Sequence, residues 1–130
     1  MARILVVDDD PDLVETITLV LEDAHHEVIS AFSGKEGIQK ANAENPDLII
    51  LDVMMETRRK GIEVARELRQ QPRFAGTPIL MLTAVKDKTG LGFKQEAGDE
   101  AWLPVDDYCE KPLKPETLVH KVEQLLKGKN

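Results

Sequence analysis

The sequence predicts an α/β fold: a (βα)5 three-layer sandwich with a central five-stranded parallel sheet and helices on both faces. Three observations predict it. Apolar runs of strand length alternate with amphipathic stretches of helix length along the chain. The best of these runs are nearly continuous, as strands covered on both faces are. Several of them stop at a polar residue, Asp8, Asp52 or Thr83, which marks the edge where an open parallel sheet carries its chemistry. At 130 residues the chain reads as one domain, residues 1–130. It is long enough to bury a core without staples.

Taken in order, Arg3 to Val7 is a short β-branched run suited to a buried strand. Asp10-Pro11 opens a helix, with Asp as N-cap and Pro at the first helical position. Leu13, Ile17, Val20 and Leu21 form its inward face. His26 to Ala31 is a second, less apolar strand nearer a sheet edge, and His25 and His26 read as solvated turn residues before it. Ser33 to Glu36 matches a capping box, with Ser33 capping and Glu36 reaching back. That helix runs to about Glu44, where Asn45-Pro46 breaks it. Asp47 to Leu51 is the most apolar strand, placed centrally, and it ends at Asp52. A charged connection follows. A helix from about Gly61 to Gln71 turns Ile62, Ala65 and Leu68 inward. Thr77-Pro78 leads into a fourth strand ending at Thr83. Val105 to Cys109 is a weak fifth strand. Lys114-Pro115-Glu116 opens the last helix, with Leu118, Val122, Leu125 and Leu126 on its apolar face.

Composition excludes several function classes. Apolar residues make up 42% of the chain and the net charge is −7. The first value is that of a globular protein. The second is a poor match for nucleic acid or an anionic membrane surface. No apolar run approaches the roughly 20 residues of a membrane span, and the N-terminus lacks a signal-peptide pattern. A lone Cys109 rules out an internal disulfide and suits a reducing cytosol. The reading is a soluble, cytoplasmic protein without an appended effector domain. Cys109 is a small strand filler, and His120 is an exposed helix residue rather than a phosphoryl carrier.

In a parallel sheet the strand ends share one edge. Asp8 and Asp9 after the first strand, Asp52 after the third, Thr83 ending the fourth and Lys111 just after the fifth therefore converge. The three carboxylates outnumber the one ammonium, so an oxygen-seeking divalent cation balances the site. Mg²⁺ suits it best, because it takes one or two carboxylates, keeps waters and accepts phosphate oxygens. An aspartate there could accept a phosphoryl group, with both cations stabilising charge on the transferring oxygens. Asp10 is an N-cap rather than a ligand.

VVDDD, LIILD, the LMLTA strand end and YCEKP, in this order, resemble the signature of response-regulator receiver domains of two-component signalling, in their single-domain form. The resemblance covers nearly the whole chain and implies a flavodoxin-like, CheY-like fold. It implies that Asp52 is the phosphorylated aspartate, receiving the group from a phosphohistidine. It implies that Asp8, Asp9 and Asp52 hold Mg²⁺, with the backbone carbonyl of Met54 as a further ligand. Lys111 would pair with the phosphoryl group, and Thr83 would hydrogen-bond one of its oxygens. Tyr108 matches the switch aromatic that moves inward when the threonine shifts, and the Lys111-Pro112 bond would be cis. The implied partners are a sensor histidine kinase or histidine phosphotransfer protein and a downstream protein, with a homodimer open. Such a protein modifies itself and is not an enzyme on an external substrate.

Two stretches depart from the family. After Asp52 the usual proline is replaced by Glu56, three basic residues follow (Arg58, Arg59 and Lys60), and Gly61 comes one position late. These basic side chains could attract a phosphodonor or pair with nearby acids. Between Thr83 and Lys111 the chain is several residues longer than usual. Gly90 and Gly92 there argue against a regular helix. Phe93 and Trp102 are candidate contact anchors of a specialised output surface, or covers of the local core. Met54 and Val85, at positions that influence attack by water, are apolar, which predicts slow loss of the phosphoryl group. Four other readings compete. A phosphorelay intermediate is inseparable by sequence. A Mg²⁺-dependent phosphohydrolase lacks its second acid. A flavodoxin-like cofactor binder would need a phosphate loop where three aspartates stand. A non-phosphorylated pseudo-receiver would not need the complete acidic set.

Overall fold

Arg3–Val7 forms β1, and Ile4 to Val7 are fully buried. Ile4 and Val6 join one core cluster while Leu5 and Val7 join the other. A strand covered on both faces keeps its side-chain alternation but loses its polar face, hence the unbroken apolar run. The computed structural model describes residues 2–55, 60–84 and 105–128. Within them follow α1 (Pro11–Asp23), β2 (Glu27–Ala31), α2 (Gly34–Glu44), β3 (Leu48–Asp52), α3 (Lys60–Arg69), a 3-10 turn (Pro72–Phe74), β4 (Ile79–Ala84), β5 (Asp107–Lys111) and α4 (Pro115–Lys127).

The strands are parallel and ordered β2-β1-β3-β4-β5. β3 is central and buried throughout, and β2 is at an edge, as the sequence predicts. α1 and α4 cover one face, with Val14, Ile17, Leu21, Leu118 and Val122 meeting Ile50, Leu80 and Leu82. α2 and α3 cover the other, where Ala41, Ile62, Ala65 and Leu68 meet Leu5, Leu51 and Met81. Phe74, on the 3-10 turn, is fully buried at the second face.

The caps are where the residue types put them. Asp10 accepts from the backbone of Asp12 at 3.0 Å and of Leu13 at 3.4 Å, starting α1. Ser33 accepts from Glu36 N–H at 3.1 Å. Glu36 reaches back one residue beyond the cap, to Phe32 N–H at 2.8 Å. Asn45 ends α2 in the left-handed conformation at φ 52°, which asparagine tolerates better than most residues.

Leu13, Ile17, Val20 and Leu21 face the core as the sequence predicts, Leu13 and Val20 partly buried, and Val14 joins them. Two expectations are corrected. β5 begins at Asp107, not Val105, because Leu80 pairs with Asp107 across the ladder; Lys111 is therefore the last residue of the strand rather than just past it. His26 is not a solvated turn residue but is buried. Its Nδ1 accepts from Ala2 N–H at 3.2 Å and its Nε2 faces Glu123 Oε2 at 3.2 Å. Both ring nitrogens find partners, which offsets the cost of burying them. His25 is exposed, with φ 71°, and keeps the turn role. The expectations for Arg58, Arg59, Val85, Gly90, Gly92, Phe93 and Trp102 lie outside the described residues.

Candidate functional site

β1 and β3 are neighbours whose ladders run past their last strand residues. Asp8 N–H donates to Ala31 O at 3.1 Å, and Val53 N–H to Leu82 O at 3.0 Å. These bonds fix the backbone where the chain leaves the sheet. They bring Asp8 and Asp52 together at the carboxyl edge, with Asp8 fully buried and Asp52 4% exposed. Thr83, one step beyond the Asp52–Leu82 pairing, is fully buried on the adjacent strand. Asp9 is exposed. Lys111 arrives from β5. Its Nζ lies 3.1 Å from Asp52 Oδ1 and 3.6 Å from Asp8 Oδ2. The first distance is a charge-assisted hydrogen bond, whereas the second is Coulombic contact only.

Burial and crowding set the protonation. Removal from water pushes the Asp52 carboxyl up to about 7, the Asp8 charge adds to the rise, and Lys111 opposes it. Burial also raises Asp8, against the pull of the Asp10 N–H, which donates to its Oδ1 at 3.0 Å, and of Lys111. Burial disfavours the Lys111 ammonium, but Asp52 and then Asp8 outweigh it, so its pKa rises. One ammonium does not compensate two buried carboxylates.

The donor set fits Mg²⁺. Asp8, Asp9 and Asp52 each offer an oxygen, all within 4.8 Å of one another. Asp8 Oδ2 is buried and accepts no hydrogen bond among the described residues. Lys111 Nζ, 3.6 Å away, is too far to hydrogen-bond it, and a buried carboxylate oxygen in that state gains from a cation that coordinates it directly. Oxygen ligands of this number suit a hard cation that retains waters.

A backbone contact holds Asp52 from the other side. Gly61 N–H donates to Val53 O at 3.0 Å. A Cβ on Gly61 would fall on the Asp52 carbonyl and lie 2.8 Å from Val53 Cα. Only glycine allows the start of α3 to sit this close. The sequence marks Gly61 as displaced by one position, but nothing local reveals its contact with Asp52.

The other sequence-predicted residues are placed as follows. Met54 is 38% exposed, just past Asp52. The Lys111-Pro112 peptide is cis. Tyr108 is half-buried and packs against the cluster under α2 and α3. Cys109 is buried, and burial raises its thiol. His120 is exposed. Of the basic loop residues, Lys60 lies 3.9 Å from Glu63. Sequence reasoning missed the partnership of Arg69. It donates to Phe74 O at 2.7 Å, Thr77 O at 2.6 Å and Asp106 Oδ2 at 2.8 Å. Asp106 Oδ2 also accepts from Ile79 N–H at 2.8 Å. This node fastens the starts of β4 and β5, at the end of the sheet opposite the acidic cluster.

Residues 4–123 match the family model of the response regulator receiver domain. The chain is 43% identical over 125 residues to the alkaline phosphatase synthesis transcriptional regulatory protein PhoP of Bacillus subtilis (strain 168), covering 96% of this chain and 48% of PhoP. It thus spans about half the length of that relative. It is 30% identical over 128 residues to protein PilH of Pseudomonas aeruginosa, covering 98% of this chain and all of PilH. Among solved structures, the chemotaxis response regulator CheY4 of Vibrio cholerae superposes with a TM-score of 0.82 at 34% identity, covering 96% of this chain and 98% of CheY4.

Proposed function

The chain belongs to the response regulator receiver family, and on that premise we propose that Asp52 accepts a phosphoryl group and Lys111 and Thr83 serve it. Members of this family are signalling modules of two-component systems, which receive phosphate from histidine kinases. The observation that carries the residue assignment is Lys111 Nζ at 3.1 Å from Asp52 Oδ1, inside a buried acidic pair.

An Asp52 carboxylate oxygen attacks the phosphorus of a phosphohistidine. The new O–P bond forms as the P–N bond breaks, and the freed imidazole takes a proton from solvent. Asp8, Asp9 and Asp52 would hold Mg²⁺, with the Met54 carbonyl as a further ligand. When bound, the ion offsets negative charge on the transferring oxygens. Lys111 orients Asp52 and follows the phosphoryl oxygens. Thr83, on the neighbouring strand, donates its hydroxyl to one of them. Phosphorylation adds roughly −1.5 to −2 charges, drawing Thr83 and Lys111 inward, and Tyr108 moves into the space left. The chain catalyses only this modification of itself and its reversal.

The donor is a sensor histidine kinase or histidine phosphotransfer protein, and the output is a changed protein-binding surface rather than a nucleic-acid contact. The proposed setting is the cytoplasm. Among the described residues no helix is long and apolar enough to cross a membrane.

The test is an intact mass after incubation with Mg²⁺ and acetyl phosphate, with Asp52→Asn as control. A single phosphoryl gain in the parent alone supports the assignment. A gain retained in the control variant moves the acceptor elsewhere. If the parent gains nothing from acetyl phosphate or from a phosphorylated histidine protein, and calorimetry shows no Mg²⁺ binding, the acidic edge is not a working site.

A further inference from the structure

β5 is an edge strand of the sheet, at the end opposite β2. Its side chains divide between the two faces: Cys109 packs on the side of α1 and α4, Tyr108 on the side of α2 and α3. Lys121 belongs to α4 and so starts on the Cys109 side. Its ammonium reaches both Asp107 and the ring of Tyr108. Nζ lies 3.3 Å from Asp107 Oδ2 and 5.7 Å from the centroid of the Tyr108 ring.

Asp107 grips both partners. Its second oxygen, Oδ1, accepts from the backbone N–H of Tyr108 at 2.8 Å. One carboxylate therefore positions the ammonium and the backbone of the residue whose ring that ammonium covers. The Lys121 and Asp107 side chains are 27% and 31% exposed, partly shielded and free to part. A cation at this distance is attracted to the ring face. The attraction depends on where the ring is. A step of χ1 from one staggered well to the next carries the ring away from Nζ.

We propose that Lys121, positioned by Asp107, is a latch that holds Tyr108 in its resting orientation and opposes the rearrangement driven by phosphorylation. The proposal rests on the reading of Tyr108 as the switch residue. Its consequence is a set threshold. Whatever favours the resting ring position weakens binding of a phosphoryl group by the same factor, because coupling between two sites is reciprocal.

Tyr108 is the only tyrosine in the chain, so 3-fluorotyrosine labelling yields one ¹⁹F signal. The parent, Lys121→Met and Asp107→Asn are titrated with beryllium fluoride, a phosphoryl mimic, in Mg²⁺, while the signal is followed. Met keeps the apolar stem and removes the charge. The affinity for the mimic is expected to rise about two- to fivefold in Lys121→Met, from the ordinary strength of a cation–ring contact. Asp107→Asn should change it in the same direction. Equal affinity in all three proteins, with the signal moving in each, overturns the latch alone. If the mimic binds the parent without moving the signal, Tyr108 is not the switch and the latch falls with that role. A parent that does not bind the mimic refutes the reading of Asp52 on which the latch depends.

Discussion

Replacing Asp52 with asparagine should stabilise the metal-free protein by an amount that grows as pH rises from about 4 to about 7 and then levels off. The Asp52 carboxyl is raised from 3.8 to about 7, mainly by burial and then by Asp8. An acid whose folded pKa lies above its unfolded one binds its proton more tightly when folded. Folding is therefore least penalised below the unfolded value and loses stability as pH rises toward the folded one. At about 1.4 kcal/mol per pKa unit, the rise sets an upper limit of roughly 4 kcal/mol lost between about pH 4 and pH 7. Asp8 titrates together with Asp52, while Lys111 stays charged across this range, so part of that change belongs to Asp8. About 1–3 kcal/mol is the expected gain for the variant above pH 7. The asparagine amide does not ionise, and it still offers Lys111 an acceptor oxygen. The assay is urea unfolding of both proteins in EDTA at pH 5 and pH 8, repeated with Mg²⁺. The variant should gain at pH 8, match the parent more closely at pH 5, and lose its advantage when Mg²⁺ binds the parent. A variant less stable than the parent at pH 8 in EDTA, or a difference independent of pH, would refute the reasoning.

Other perturbations follow from particular contacts. Gly61→Ala should cost at least about 2 kcal/mol, because the new methyl meets backbone that cannot yield cheaply; chemical unfolding reads it, and a neutral effect would deny the close approach. His26→Ala removes the acceptor for Ala2 N–H and the partner of Glu123. It should cost about 1–3 kcal/mol, and a double-mutant cycle with Glu123→Gln should reveal coupling between the two side chains. Arg69→Met keeps the stem but strips donors from three carbonyls and Asp106, for a loss of about 2–3 kcal/mol. Because the node lies at the far end of the sheet, Mg²⁺ affinity by calorimetry should be unchanged; a large fall in that affinity would contradict the separation.

The order of elements was legible because it is written in local patterns. ILVVDD and LIILD announce both a doubly covered strand and the point where it stops. Once the strands are parallel, topology alone brings Asp8, Asp52, Thr83 and Lys111 to one edge. Asp9 belongs to the same run, yet alternation turns it outward, a difference the spacing also contains. Long-range side-chain pairing left no such trace. His26 meets Glu123 from 97 positions away, and two histidines in a row between a helix and a strand look like a turn. Arg69 resembles any basic residue in a last helical turn until its acceptors are assembled around it. Lys121 is similar: its spacing on α4 says half-exposed helix residue, while its contacts with Asp107 and the Tyr108 ring depend on where β5 lies in the sheet. The start of β5 was misplaced because Val105, a buried residue, looks more strand-like than Asp107, yet the ladder begins at Asp107.

The contact between Gly61 and the Asp52–Val53 backbone has a consequence for how this site can vary. The connection that leaves Asp52 is tied down at both ends: by Val53, bonded to Leu82, and by Gly61, bonded to Val53. What stands between the two anchors is relieved of the task of placing Asp52. Residues there can differ in number and charge while Asp52 stays where Lys111 and Asp8 meet it. An extra residue and a run of basic side chains then become changes of surroundings rather than of machinery. For an engineer, the sequence between these two anchors is the place to rewrite partner preference without moving Asp52.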